Sequence, residues 1–546
     1  MIESYLGLFP EQLKYLLLDL RQFSFYHNAH YVLPRSRRYI LTERGPRQYH
    51  SVFNGTKELK EIIKDHKLRI NHGYGPVYIT TLMVKFLCLI ANKAASLDPS
   101  GRGIEMEADK PNWYDALNGL PGLLGSSLSE TFELKRLALF LLNSLKQLSA
   151  PESVGIFVEL YDFIGAINQI LISESDPLIY WQKANDAKEY YRERIHRGID
   201  GNEKEMSIAD VRRFLEGVID RVNKAVSAAP GQNGLYPTYF YHSIEQYELA
   251  EASGHSTYRQ VRPQKFRCHT LPLFLEGFVH ALRVQGDNGQ AKVIYEQVKE
   301  SPLFDKKLKM YKVNADLSKE TEEIGRTRIF PRGWLENESI WLHMEYKFLL
   351  ELLRNGLYEE FYENFKDTLI PFLAPEKYGR NILENSSFIV SSAHEDKNLH
   401  GRGYVARLSG STAEFLHMWL LMNVGANPFS ADAKGRVSLT FRPALPGWLF
   451  TKEESVVRFK GKDSTWQNIK LAKNSYAFNF LGSTLVVYHN PGRKNTYGQG
   501  KAQIQKIEIR YPNGKKPVVL SQAGIPQPHI EDIRSGKAER IDVFFS

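Results

Sequence analysis

Residues 109–122 read Asp109-Lys110-Pro111-Asn112-Trp113-Tyr114-Asp115-Ala116-Leu117-Asn118-Gly119-Leu120-Pro121-Gly122. The segment has neither a helical nor a strand period, and two prolines and two glycines punctuate it. Catalytic groups often sit on such loops because a rigid scaffold can aim them. A carboxyl group beside an aromatic plane suits glycoside chemistry. The ring stacks on a sugar face, and its low local dielectric raises the acid's pKa. Asp115 is the first candidate for a general acid and Asp109 its neighbouring alternative. Either aspartate could instead accept backbone N–H bonds within the loop. Trp113 and Asn118 are the flanking candidates for substrate binding.

A second constellation runs Arg402-Gly403-Tyr404-Val405-Ala406-Arg407-Leu408-Ser409-Gly410-Ser411-Thr412-Ala413-Glu414. A glycine-containing turn opens onto a helix, whose free N–H groups and dipole favour an anion. Ser409, Gly410 and Ser411 would supply donors and Arg407 charge. The same Ser411 could simply cap its own helix, paired with Glu414 in a capping box. The third constellation is Glu336-Asn337-Glu338-Ser339-Ile340-Trp341-Leu342-His343. His343, early in an amphipathic helix, could donate to an anion or pack in the core. Glu336 and Glu338 could serve as the second carboxylate of an inverting hydrolase, or as first-turn partners of the helix dipole. His394, Glu395, Asp396 and His400 match no metal-ligand spacing, so no metal is expected.

The elements that must position these groups are mostly helices. Apolar residues recur at three- and four-residue spacing over 10–25, 76–94, 130–148, 154–172, 178–197, 208–226, 271–284, 290–298, 340–353, 359–373 and 412–422. Ser127 and Glu130 read as a second capping box, and Gly356 as a helix stop. Short connections alternate with long ones such as 229–241 and 382–410, as in a ring of helices with its functional loops on one face. After Pro428 short β-rich runs take over at 437–441, 456–459, 476–480, 484–488, 504–509, 518–520 and 542–545, the pattern of an antiparallel β-sandwich. This divides the chain into a helical domain, 1–428, and a β domain, 429–546.

Composition narrows the function. The net charge of +9 over 546 residues is modest and dispersed, with no recognition module, so nucleic acid is not an expected partner. Two cysteines, Cys88 and Cys268, both read as lying in apolar helices, argue against a disulfide framework. With no signal-peptide pattern and no apolar run long enough to span a bilayer, a cytoplasmic protein without a membrane partner is expected.

The three constellations, in this order, resemble the cellobiose phosphorylase family of inverting glycoside phosphorylases and its relatives acting on longer β-glucans. Trp113-Tyr114-Asp115 resembles the family's W-N-D motif, with Tyr114 in place of the usual Asn. Residues 118–126 are closer to the large oligoglucan phosphorylase-like proteins. The segments holding His343 and Leu408-Ser409-Gly410-Ser411 resemble those that supply phosphate donors. The resemblance implies a mainly α fold, an (α/α)6 toroid followed by a C-terminal antiparallel β-sandwich. Eleven helices are read where closure needs twelve, so the toroid is complete or slightly short. The implied reaction is phosphorolysis of a β-glucan or β-gluco-oligosaccharide to α-glucose 1-phosphate. Asp115 would be the acid, inorganic phosphate the co-substrate, and no cofactor would be needed. Family members carry an N-terminal β-sandwich that this chain replaces with a helix. A homodimer, or a partner chain supplying those parts, is the matching expectation. The alternatives are an inverting hydrolase on the same fold, with Glu336 or Glu338 as base, and a non-catalytic carbohydrate-binding relative.

Overall fold

A computed structural model describes residues 2–63, 65–110, 113–148, 152–229, 234–250, 259–406, 410–432, 434–461, 464–512 and 516–546. The chain forms two compact units. One comprises Lys14–Asn355 and Tyr362–Thr412; the other comprises Met1–Leu13, Gly356–Phe361 and Ala413–Ser546.

The larger unit is built on amphipathic helices that pack in series. Leu82–Ala94 lies against Leu128–Gln147 and Val158–Ser173, and Val158–Ser173 lies against Pro177–Ile195. Leu128–Gln147 also packs on Ile208–Ser227 and Leu275–Arg283, and the latter packs on Leu342–Arg354. The sequence dictates these faces. In Ile208–Ser227 the buried apolar positions are Ile208, Val211, Phe214, Leu215, Val218, Ile219, Val222 and Ala225, one helical stripe. Ser207 caps that helix by accepting the Asp210 N–H at 3.1 Å.

Small sheets join the helices where the sequence showed only loops. Tyr239–Leu249 and Val261–Thr270 pair as a long antiparallel hairpin, continued by Ser126–Ser127 and Ile104–Glu105. Cys268 therefore lies on a strand rather than a helix, and Cys88 and Cys268 are both free thiols. Ile340–Trp341, Ser386–Ile389 and Gly403–Ala406 form a three-stranded sheet. The helix expected over 10–25 does not form. The chain makes a short turn at Pro10–Gln12 and a five-residue π-helical turn at Tyr15–Asp19, whose one buried residue is Leu17. Without a continuous stripe to bury, a helix there gains little from packing.

In the smaller unit all seven expected β runs are strands. The main sheet has five strands in the order Ser475–Phe480, Thr484–His489, Arg540–Phe545, Ile504–Arg510 and Val518–Leu520. It is mixed rather than antiparallel, because Thr484–His489 and Arg540–Phe545 run parallel. A three-stranded sheet (Phe429–Ala431, Val437–Thr440, Gly524–Pro526) and the pair Ser455–Lys460 with Trp466–Leu471 complete its β structure. The N-terminal segment is tied to this unit through Arg534. Its guanidinium bonds Glu11 at 2.8 Å and lies over the rings of Phe9 and Phe429, 4.7 Å from each centroid.

Candidate active site

The loop carrying Asp115 is closed at its base by the pairing of Ile104–Glu105 with Ser126–Ser127 and by a Met106 N–H to Gly125 carbonyl bond of 2.8 Å. Its apolar residues Tyr114, Ala116, Leu117, Leu120 and Leu123 sink into a core shared with Tyr239, Phe274, Val313 and Ile324. Asp115 opens a short 3₁₀ turn, Asp115–Leu117, and remains exposed above that core.

The loop is fastened to the 323–338 segment. The Gly119 N–H donates to the Ile324 carbonyl at 3.2 Å, and the Arg326 N–H donates to the Asn118 side-chain oxygen at 3.1 Å. Gly325 has φ +127 and sits so close to Ala116 and Asn118 that a Cβ would overlap both, so glycine is required there.

The strongest fastening is at Glu336. Its backbone carbonyl accepts the Tyr114 hydroxyl at 2.5 Å, the Asn314 amide at 2.8 Å and the Thr327 hydroxyl at 2.8 Å. The clamp fixes the backbone and leaves the Glu336 carboxyl near Asp115. Burial raises the Glu336 pKa; Arg326 opposes the shift and the charge of Asp115 adds to it. Glu338, two residues on, has the opposite role. It has φ +56, is 1% exposed, and its carboxylate is taken up by Lys312 at 2.8 Å and by Arg332.

Asp109 accepts the backbone N–H of Ser51 at 3.0 Å and of Val52 at 3.3 Å and pairs with His50. It thus takes the backbone-bonding role allowed for it, while still lining a cavity of about 520 Å³ with Asp115, Asn118, Lys110 and Tyr49. Trp113 is 44% exposed, and its indole N–H donates to Glu276 at 2.7 Å. Glu276 is buried and also accepts the Tyr239 hydroxyl. Burial raises its pKa, against the opposing influence of His280 and these two donors. Glu276, a lone acid in an apolar run, and Asn314 and Thr327, polar residues in loops with no motif around them, escape a reading of the sequence.

Of the expected phosphate ligands, His343 and Gly410 come together: a Cβ on Gly410 would overlap the His343 ring. Ser411 is fully buried, and it lies inside the helix that starts at Gly410 rather than at its cap. His343, Gly410 and Ser411 do not line the cavity that holds Asp115. Arg407 and Ser409 lie outside the described residues. Among the described residues no group of three or more His, Cys, Asp or Glu could hold a metal ion, and no helix is long and apolar enough to cross a membrane.

No protein-family model matches the sequence, and no curated protein matches it. Among solved structures, the chain is similar to a GH63 mannosylglycerate hydrolase from Thermus thermophilus, determined in complex with glucose. The identity is 11% and the TM-score 0.24, covering 62% of this chain and 92% of that one.

Proposed function

We propose that the larger unit cleaves glycosidic bonds with inversion, using Asp115 and Glu336 as its carboxyl pair. The observation that carries this reading is the clamp on the Glu336 carbonyl, which holds that side chain within the field of Asp115. Of the two carboxyls Glu336 is the better proton donor, because burial and the charge of Asp115 raise its pKa against the opposing Arg326. Glu336 then donates to the leaving oxygen, and Asp115, open to solvent, activates the attacking water. This reverses the sequence expectation, in which Asp115 is the acid. Trp113 is the sugar-stacking plane, oriented by its bond to Glu276.

A second reading is favoured by one observation, the seating of His343 on Gly410 at a helix start. Phosphate held there would replace water as nucleophile, and the product would be a sugar 1-phosphate. Incubating the protein with β-gluco-oligosaccharides, with and without phosphate, separates the two. Reducing sugar released without phosphate supports hydrolysis; sugar phosphate formed only with phosphate supports phosphorolysis. If Asp115→Asn and Glu336→Gln both keep full activity, the carboxyl pair is wrong.

The division of roles has its own readout. An aryl glycoside with a good leaving group needs no proton donor, so it rescues the variant lacking the acid. Rescue of Glu336→Gln supports the assignment above. Rescue of Asp115→Asn instead returns the acid to Asp115.

A further inference from the structure

A second cavity, of about 500 Å³, lies beside the first, and Lys110 lines both. Trp113 lines it too, together with Lys188, Arg192, Glu105 and Glu107. Its charges are unevenly committed. Glu107 accepts Arg192 at 2.8 Å and Arg38 at 3.4 Å and pairs with Lys110. Glu105 accepts the Trp181 indole N–H at 2.5 Å. Lys188 is 1% exposed, and its amine makes a 3.0 Å bond to the Ser96 hydroxyl. An ammonium has three donors, so two remain for a ligand. Burial, then Arg192, pulls the Lys188 pKa down to about 7 against the opposing charges of Glu107 and Glu105. Glu107 and Glu105 act on this amine through their charge but neither hydrogen-bonds it, so its open donors can turn to an incoming anion.

We propose that this cavity binds an acidic group carried on the sugar substrate, a carboxylate or a phosphate ester, through Lys188 with Lys110 at its rim. The proposal rests on the glycoside reading: Trp113 and Lys110 belong to the loop that carries Asp115, so one substrate can lie along both cavities. It narrows the substrate class from neutral glucans to acidic glycosides.

The test is calorimetric titration of the full chain with D-glucuronate, D-glucose 6-phosphate, D-glucose and inorganic phosphate at physiological ionic strength. At least one acidic sugar is expected to bind about tenfold or more tighter than glucose, and its identity tells carboxylate from phosphate ester. Lys188→Met should remove that advantage and leave glucose binding unchanged. Lys110→Ala, at a half-exposed position, should weaken acidic-sugar binding severalfold and serves if Lys188→Met fails to fold. Near pH 7 the binding should also take up protons, seen as heats that vary with buffer ionisation enthalpy. Equal binding of glucose and both acidic sugars overturns the proposal, as does an undiminished preference in the lysine variants. Inorganic phosphate bound as tightly as the acidic sugars overturns the claim that the anion is carried on a sugar. Because these ligands are not turned over, loss of the preference and loss of the Asp115–Glu336 chemistry are separate results.

Discussion

Two carboxylate sites, one at Glu107 and one at Glu336, handle charge in opposite ways. Around Glu107, burial alone would raise the pKa, but Arg192, then Lys188 and Lys110, overturn it and hold the group well below the usual range. Around Glu336, burial wins: Arg326 opposes it only in part, and the second carboxyl adds to the shift. One region has committed its charge to holding the molecule together. In the other, burial and the second carboxyl outweigh the one opposing cation, Arg326, and the proton is held more tightly than on a free glutamate. Burial is therefore no guide by itself to a catalytic acid; the sign of the neighbours decides.

The sharpest way to break this contrast is to neutralise each carboxyl in turn. Glu336→Gln should lower turnover of an unactivated glycoside by about 10²–10⁴-fold, the usual contribution of a positioned proton-transfer group. Its folding stability below about pH 4.5, where the glutamate is neutral too, should barely change, since the clamp acts on the backbone carbonyl and not on the side chain. Steady-state kinetics together with urea denaturation measure both. A variant that lost stability and kept turnover would place Glu336 with Glu107 instead.

Glu107→Gln should show the converse. Removing the carboxylate leaves the buried Arg38, and the partly exposed Arg192 and Lys110, without their common partner. Breaking such a pair costs about 3–5 kcal/mol, and Arg38, 1% exposed, cannot turn outward to water. The urea midpoint should fall accordingly. A shift within about 0.5 kcal/mol, ordinary for a surface substitution, would mean that the network is solvated and the contrast false.

The pH dependence gives a smaller but signed effect. The folded pKa of Glu107 is depressed, so its contribution to stability is present above the unfolded value near 4.5 and is lost as pH falls through the folded value. The folded pKa of Glu336 is raised, so its contribution is present below the unfolded value and is lost as pH rises through the folded one. A tenfold change in proton affinity between the folded and unfolded chain is worth about 1.4 kcal/mol. Glu107→Gln should flatten the fall in stability on the acid side, and Glu336→Gln should remove a decline that begins above about pH 4.5. Urea midpoints from about pH 3 to 7 would expose identical slopes, if the two regions are alike after all.

The difference between these regions is only partly visible in the sequence. The Asp115 loop announces itself through its breakers and its isolated tryptophan, and the helical faces follow from periodicity, as in Ile208–Ser227. The C-terminal strands are legible from β-branched runs, but their mixed pairing is not, because alternation carries no strand direction. Glu336 and Glu338 cannot be told apart there, since their fates depend on Asn314, Thr327, Lys312 and Arg332, set by folding and not by spacing. Lys188 does leave a trace. It falls on the buried stripe of Pro177–Ile195 with Tyr180, Trp181, Ala184 and Tyr191, where a lysine is out of place. The hairpin Tyr239–Leu249 with Val261–Thr270 is hidden because its outer half alternates poorly and is largely exposed.

The smallest effect is expected at Tyr114, and it tests whether the clamp positions chemistry or merely satisfies a carbonyl. Tyr114→Phe removes one of three donors to the Glu336 carbonyl and leaves the Asn314 amide and the Thr327 hydroxyl in place. No buried acceptor is orphaned, so the stability loss should sit near the low end of about 0.5–1.5 kcal/mol for a hydrogen bond. The ring itself stays packed against Phe274 and Tyr239. Turnover should nevertheless fall severalfold, because a small displacement of Glu336 relative to Asp115 alters both the geometry and the surroundings that raise the Glu336 pKa. The pH–rate profile distinguishes the cases. If the clamp sets the acid, the alkaline limb shifts in Tyr114→Phe; if the hydroxyl only fills a bond, kcat and the limb both stay where they are.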